Sequence, residues 1–379
     1  MKIVSLGLYN PIPINTGSDS YIYHLLNSIN KKNEITHYYF TKLKSNKGRF
    51  PENVNFHINH LESVFSKKIS INKIPKILQY SRFDLLLDKT DIKKIEADIV
   101  ICDIITFYIA KYISKKNNTP LILIEHDIEW KKLKSEKSVF YFPMKIYEKS
   151  VFKKVDVITT ISMNDYQYVT QYLDKKNVFY IPPSFDSSIY NFDGESYDFG
   201  KDKLNLLFYG SLDRPMNIQA LNFIKNSLIP LFKKEGLLEK IRINIFGSGI
   251  PPKYLQLNQD KNINYLGIVE NPGLYIRGAD LVIVPVKNVG GTKVRVLETL
   301  FCGKPVIVTS EVATGLPVEF KKSVYIEDDA EGFIRVIKKF LEKTPLTEFN
   351  NKIIEDYIKK CMTMQDVIEN VTLNKKINF

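Results

Sequence analysis

Between residues 286 and 309 the chain reads VKNVGGTKVRVLETLFCGKPVIVT, with Gly290, Gly291 and Thr292 ahead of Lys293, Arg295 and Glu298. Two glycines followed by two cations at the start of a helical pattern suit the binding of an anion. The glycines let backbone amides approach without a Cβ in the way, Thr292 can cap the helix, and Lys293 and Arg295 add full charges. Without an anion, the same cations oppose the positive end of the helix dipole. Glu298 lies one turn beyond Arg295, where a carboxylate repels phosphate but accepts hydrogen bonds from two ribose hydroxyls. The combination fits a nucleoside diphosphate better than inorganic phosphate. The plainer alternative is a solvated first turn that tolerates two exposed basic side chains.

The elements that must position these residues are legible on either side. LVIVPV (281–286) is a short buried-strand run, Val294, Leu297 and Phe301 recur at helical spacing, Gly303 and Pro305 form a stop signal, and VIVT (306–309) is a second strand run. The loop thus falls at the carboxyl end of a strand, where open α/β sheets bind ligands. The same alternation fills the chain. In the first half the strand candidates are 2–8, 37–43, 97–103, 120–126, 156–162 and 178–182; in the second they are 204–210, 241–249, 263–269, 281–286, 306–309 and 323–327. A helix is expected over 18–31 and another over 217–234. Periodicity lapses over 182–203, which is rich in Pro, Ser, Asp and Gly. The expected organisation is a first domain at 1–183, a linker at 184–203, a second domain at 204–360 and a segment at 361–379 that returns to the first domain. Both domains read as doubly wound, Rossmann-like α/β layers facing a central cleft.

Composition narrows the class. With 379 residues, 44% hydrophobic and 25% charged, the chain is ordinary for a two-domain globular protein. MKIVSLGLYNPIP at the amino end runs directly into a strand, and no window approaches the roughly 18 apolar residues of a membrane span. The expected location is the cytoplasm. Cys102, Cys302 and Cys361 are scattered, which supports neither a disulfide framework nor a zinc site, and no metal is expected. Of the net charge of +12, residues 1–150 carry +9 and residues 151–379 carry +3. The basic excess is densest over 129–154, where lysines alternate with Trp130, Phe140, Tyr141, Phe142 and Phe152. Such a segment fits contact with an anionic membrane surface, peripheral on the inner face. It fits equally a pair of amphipathic helices with the aromatics in the core. No nucleic-acid module accompanies the charge, so no nucleic acid is expected as a partner.

His126 closes the strand run in LIEHDIEW (123–130), on the rim where side chains reach a ligand; packing or capping is its plainer role. Beside a ligand it would position hydroxyls rather than act as a strong base. Glu125, Asp127 and Glu129 flank it, one of them a candidate for binding ligand hydroxyls. Gly17 and Ser18 precede a helix and can hold a phosphate, or form an ordinary loop.

The ordered phrases FYGSLDRPMN (208–217), IFGSG (245–249), YLGIVEN (265–271), ADLVIVPV (279–286), GGTKVRVLETLFCGKPVIVT (290–309) and TGL (314–316) resemble the carboxyl-terminal domain of family-four glycosyltransferases, which have the GT-B fold. The first half matches more loosely, through Gly17, LIEHDIEW, EKSVFKKVDVITTIS (148–162) and IPPSFD (181–186). The resemblance implies transfer of a sugar from a UDP- or GDP-linked donor, with retention at the anomeric carbon and without metal or cofactor. The implied acceptor is a glycan, a lipid-linked sugar or a protein, in surface glycan biosynthesis. It places Glu298 on the donor ribose and Gly210, Ser211, Arg214, Gly247, Val269, Gly290, Gly291, Thr292, Lys293 and Arg295 around the nucleotide sugar. It places Gly17, Ser18, His126 and Glu129 at the acceptor, with His126, Lys293 and Arg295 as the catalytic set. Two departures stand out. The family's acid eight positions before Glu298 falls on Gly290, and its usual basic pair falls on Ser211 and Met216, so Lys293 and Arg295 are expected to supply that charge, with Arg214 as an addition. The missing acid keeps open a non-catalytic GT-B subunit that binds a nucleotide sugar, and a nucleotide-sugar epimerase is a further alternative on the same fold.

Overall fold

The computed structural model describes the chain except residues 8–9, 13, 15–16, 41–55, 61–91, 136, 174–176, 184, 186–188, 256–260, 288–293, 345–351, 353–355, 358–362 and 378–379. Contacts divide it into two units, Met1–Ser184 with Cys361–Phe379, and Phe185–Lys360.

Among the described residues, the first unit is built on seven strands: β1 (Lys2–Gly7), β2 (Glu34–Tyr39), β3 (His57–His60), β4 (Ile99–Cys102), β5 (Leu121–Glu125), β6 (Val157–Thr160) and β7 (Val178–Tyr180). They pair in parallel in the order β3-β2-β1-β4-β5-β6-β7. Every residue of β4, β5 and β6 is buried, as expected of strands covered on both faces. Alternate residues serve opposite layers: Val4, Leu6, Val100 and Leu123 join one apolar cluster, Ile3, Ile99, Ile101, Ile122 and Ile124 the other. The helices are α1 (Gly17–Ile29), α2 (Phe107–Asn117), α3 (Glu129–Ser135), α4 (Tyr141–Phe152) and α5 (Met163–Tyr172). Leu25, Leu26 and Ile29 of α1 pack in one cluster with Met364, Val367 and Ile368 of the helix Met364–Ile377. Lys32 pairs with Glu369 at 3.1 Å beside that contact.

Among the described residues, the second unit has six parallel strands, β8 (Leu204–Tyr209), β9 (Ile241–Phe246), β10 (Ile263–Tyr265), β11 (Leu281–Val284), β12 (Val306–Val308) and β13 (Tyr325–Ile326), in the order β10-β9-β8-β11-β12-β13. The chain builds outwards from β8 in one direction and then from β11 in the other. The carboxyl ends of β8 and β11 therefore form the switch point at which such sheets open a crevice. Around the sheet lie α6 (Pro215–Phe223), α7 (Pro272–Gly278), α8 (Val294–Phe301) and α9 (Ala330–Leu341). The helix expected over 217–234 is interrupted by a π turn at Ile224–Leu228, after which helix resumes at Ile229–Lys234. Pro230 has no N–H to donate to the preceding turn, and the wider turn absorbs the missing bond.

Within the span expected as a linker, Tyr190 and Phe199 are buried in the second unit's core. Arg277, 6% exposed, donates to the carbonyls of Glu195 at 2.7 Å, Ile189 at 2.8 Å and Asn191 at 3.3 Å. A stretch without periodicity is thus folded by one arginine that satisfies its irregular backbone.

Candidate functional site

Two strand ends meet closely in the second unit. Gly210 follows β8 with φ +141° and Gly247 follows β9 with φ +139°. A Cβ on Gly247 would lie 1.8 Å from the Gly210 carbonyl oxygen, and one on Gly210 would lie 2.2 Å from Nη2 of Arg295. No other residue type fits either place.

Arg295, in the first turn of α8, sends its half-buried guanidinium across to the end of β8. Its central carbon lies 5.1 Å from the Phe208 ring centroid and 5.5 Å from that of Tyr209, within the range of a cation–π contact. Nη2 donates to Oδ1 of Asn217 at 2.9 Å. Asn217, 3% exposed in the first turn of α6, also donates from Nδ2 to the Ser211 carbonyl at 2.7 Å. Burial lowers the pKa of Arg295, while Tyr209 and Glu298 raise it; a guanidinium keeps its charge under such shifts. Among the described residues no carboxylate lies within ion-pair distance of it.

Tyr209 anchors the opposite side of the same turn. Its hydroxyl donates to the Arg295 carbonyl at 2.9 Å and lies 3.3 Å from Oε2 of Glu298 and 3.2 Å from Oγ1 of Thr299. Burial pushes the phenol's pKa well up, so the group stays a donor.

Of the expected donor residues, the fold brings Gly210, Ser211, Gly247, Arg295 and Glu298 together. Arg214 stands exposed at the N-cap of α6. Val269 is packed partly buried against the core. Gly290, Gly291, Thr292 and Lys293 lie outside the described residues. Asn217 and Tyr209 were not expected as site residues, although both lie inside the phrase FYGSLDRPMN; two flanking polar types within a strand–loop–helix phrase were the available signal.

In the first unit, α1 begins at Gly17 and Ser18. His126 follows β5, half-buried, with its ring edge-on to Tyr21 at 5.3 Å. Its Nδ1 is buried without a partner, as is the Tyr21 hydroxyl. Burial, with Lys132 adding to it, lowers the His126 pKa to about 4, so the ring is neutral at pH 7. Glu129 opens α3, and its N–H donates at 2.8 Å to Glu148, which is fully buried on α4. The Glu129 carboxylate pairs with Lys132 at 3.7 Å and leaves Oε2 unpartnered. Burial raises the pKa of Glu125 well above the carboxylate range and that of Glu148 to about 8.

The basic aromatic segment has both buried and exposed apolar side chains. Met144, Val151 and Phe152 are core, whereas Val139, Phe142 and Ile146 are 80%, 58% and 58% exposed. Behind them Lys145, Lys131 and Lys149 stand over the rings of Trp130, Tyr168 and Tyr172 at 4.6, 4.2 and 3.8 Å. Among the described residues no helix is long and apolar enough to cross a membrane.

Residues 203–343 match the family model described as Glycosyl transferases group 1. No curated protein matches the chain by sequence. Among solved structures, sucrose-phosphate synthase of Thermosynechococcus elongatus is similar with a TM-score of 0.70 at 12% identity, over 100% of this chain and 99% of that one. HepE of Anabaena, solved in complex with UDP, gives 0.64 at 12% identity over 99% and 100% of the two chains. WaaG, a glycosyltransferase involved in lipopolysaccharide biosynthesis, gives 0.64 at 13% identity over 98% and 99%. Two parallel sheets flanked by helices and these neighbours give the chain the GT-B fold.

Proposed function

We infer, from the match of residues 203–343 to the Glycosyl transferases group 1 model and from the GT-B fold, a glycosyltransferase that moves a sugar from a UDP- or GDP-linked donor. The transfer retains anomeric configuration and needs no metal, and the acceptor is a glycan, a lipid-linked sugar or a protein in surface glycan assembly. The observation that carries this reading is the Arg295 guanidinium, held at the switch point against Gly210 and, among the described residues, in ion-pair contact with no carboxylate. A leaving nucleoside diphosphate gains negative charge as the glycosidic bond breaks, and a fixed cation at that place stabilises it. By sequence, Gly290, Gly291, Thr292 and Lys293 just before α8 are the candidates for the rest of the anion site, and Glu298 accepts from the ribose. His126, neutral and with a free ring nitrogen, positions sugar hydroxyls beside Glu129, while Gly17 and Ser18 hold the acceptor at the start of α1.

The exposed Val139, Phe142 and Ile146, bordered by lysines, seat the protein on the anionic inner face of a membrane, where a lipid-linked acceptor resides. Co-sedimentation with vesicles containing anionic lipid tests this, and an F142S/I146S protein that sediments as well as wild type would remove it.

The donor reading is tested by thermal stability with UDP, GDP, ADP and CMP, with and without chelator, followed by a donor-hydrolysis assay. A nucleotide at about 100 times its Kd adds roughly 2.7 kcal/mol to the folded state. Stabilisation by one diphosphate regardless of chelator is expected, with loss of binding and turnover in Lys293→Ala and Arg295→Ala. Wild-type behaviour of both variants would sink the proposal.

A further inference from the structure

Arg295 is oriented by a neutral partner, and that neutrality has a use. Both ends of the Asn217 amide are committed: Oδ1 accepts from Arg295 Nη2 at 2.9 Å and Nδ2 donates to the Ser211 carbonyl at 2.7 Å. Only one orientation of the amide satisfies both, since the flipped amide faces donor with donor and acceptor with acceptor. The bond also ties the first turn of α6, which follows β8, to the first turn of α8, which follows β11, so it spans the two sides of the switch point. At 3% exposure Asn217 is fixed in place, and the absence of a side chain on Gly210 leaves the guanidinium its space.

A carboxylate at this position would bind the guanidinium more strongly than an amide does. It would also cancel the charge, repel an arriving phosphate and lose the donor to Ser211. An amide aims the cation and leaves its charge unspent. We propose that Asn217 is a positioning residue for the nucleoside diphosphate, holding Arg295 across the switch point while keeping its charge available to the pyrophosphate. The inference rests on the reading that Arg295 meets that diphosphate.

Calorimetric titration of UDP and of GDP into wild type, R295A, N217A, N217D and the N217A/R295A double variant tests it, with a thermal melt of each without nucleotide. Loss of a bond to a charged group weakens binding about tenfold or more, and that loss is expected in N217A. N217D, nearly isosteric and so suited to fold where N217A does not, is expected to bind at least as weakly as N217A although it still offers Arg295 an acceptor. The double variant is expected to be no weaker than R295A alone, because Asn217 acts only through Arg295; a purely structural contribution would add instead. Wild-type affinity in a folded N217D, or full additivity in the double variant, overturns the role of Asn217. If R295A binds nucleotide as well as wild type, the underlying reading of Arg295 falls as well. If neither nucleotide binds the wild-type protein, both fall together.

Discussion

At the scale of single residues, the closeness of the strand ends makes Gly247 the least replaceable position in the candidate site. Gly247→Ala puts a methyl into the Gly210 carbonyl on a backbone at φ +139°. Gly236, at φ +66° with open space around it, isolates the backbone penalty alone. Gly236→Ala should cost about 1 kcal/mol and Gly247→Ala about 3 kcal/mol or more in urea unfolding; equal costs would show that the strand ends do not touch as described. His126 gives a second prediction. Its folded pKa of about 4 lies below its ordinary value of 6.5, so the unfolded chain takes up a proton that the folded one refuses. The stability linked to this ring is present above pH 6.5 and lost as pH falls towards 4. Wild type should therefore lose more stability than His126→Gln between pH 6.5 and 4, and parallel pH profiles would refute the burial of a neutral ring. Arg295 and Glu298 were legible because charge at a helix start demands an explanation. Asn217 was not, since an amide that serves Ser211 in the loop before α6 and Arg295 in α8 leaves no periodic trace.

At the scale of elements, buried runs such as LVIVPV and VIVT announced their strands because parallel strands covered on both faces need apolar residues at every position. HINH of β3 carries no such run and was missed; among the described residues it lies at the edge of its sheet, paired with β2. Helix α8 was legible in existence but not in what holds it. Its buried residues are Val296, Leu297, Thr299 and Leu300, whereas Val294 and Phe301 are only half-buried. The other anchor is the Tyr209 hydroxyl, which accounts for three contacts to the turn that presents Arg295. Tyr209→Phe should leave the sheet intact and cost about 1 to 2 kcal/mol, the penalty for unpairing buried polar groups. Hydrogen exchange should then accelerate in peptides covering 294–301 more than in those covering β8. Unchanged exchange in α8 would mean that its apolar face alone holds the turn.

At the scale of the whole chain, composition marks irregular backbone in the expected linker but not what satisfies it. Pro, Ser, Asp and Gly signal irregular backbone, and irregular backbone is as well satisfied by a buried arginine as by water. Nothing local distinguishes the two, and the deciding residue, Arg277, is about eighty positions away in sequence from the carbonyls it binds. The carboxyl-terminal segment carries the last prediction. Met364, Val367 and Ile368 are at most 2% exposed, in the cluster that also holds Leu25, Leu26 and Ile29. Ending the chain at residue 360 removes three buried apolar side chains, each contributing about 1.5 to 3 kcal/mol, from a unit whose total stability is expected to be about 5 to 15 kcal/mol. The loss falls on one core only, because the second unit's cluster contains none of these residues. The single tryptophan of the chain, Trp130, lies in the first unit, packed against Tyr168. Its fluorescence therefore reports unfolding of that unit, while far-UV circular dichroism reports both. In the truncated protein the fluorescence midpoint in urea should drop by well over half, and the dichroism curve should split into an early phase that follows Trp130 and a late one at the wild-type position. A Trp130 transition that stays where it is in the full chain would show that the terminal helix lies on the first unit without stabilising it.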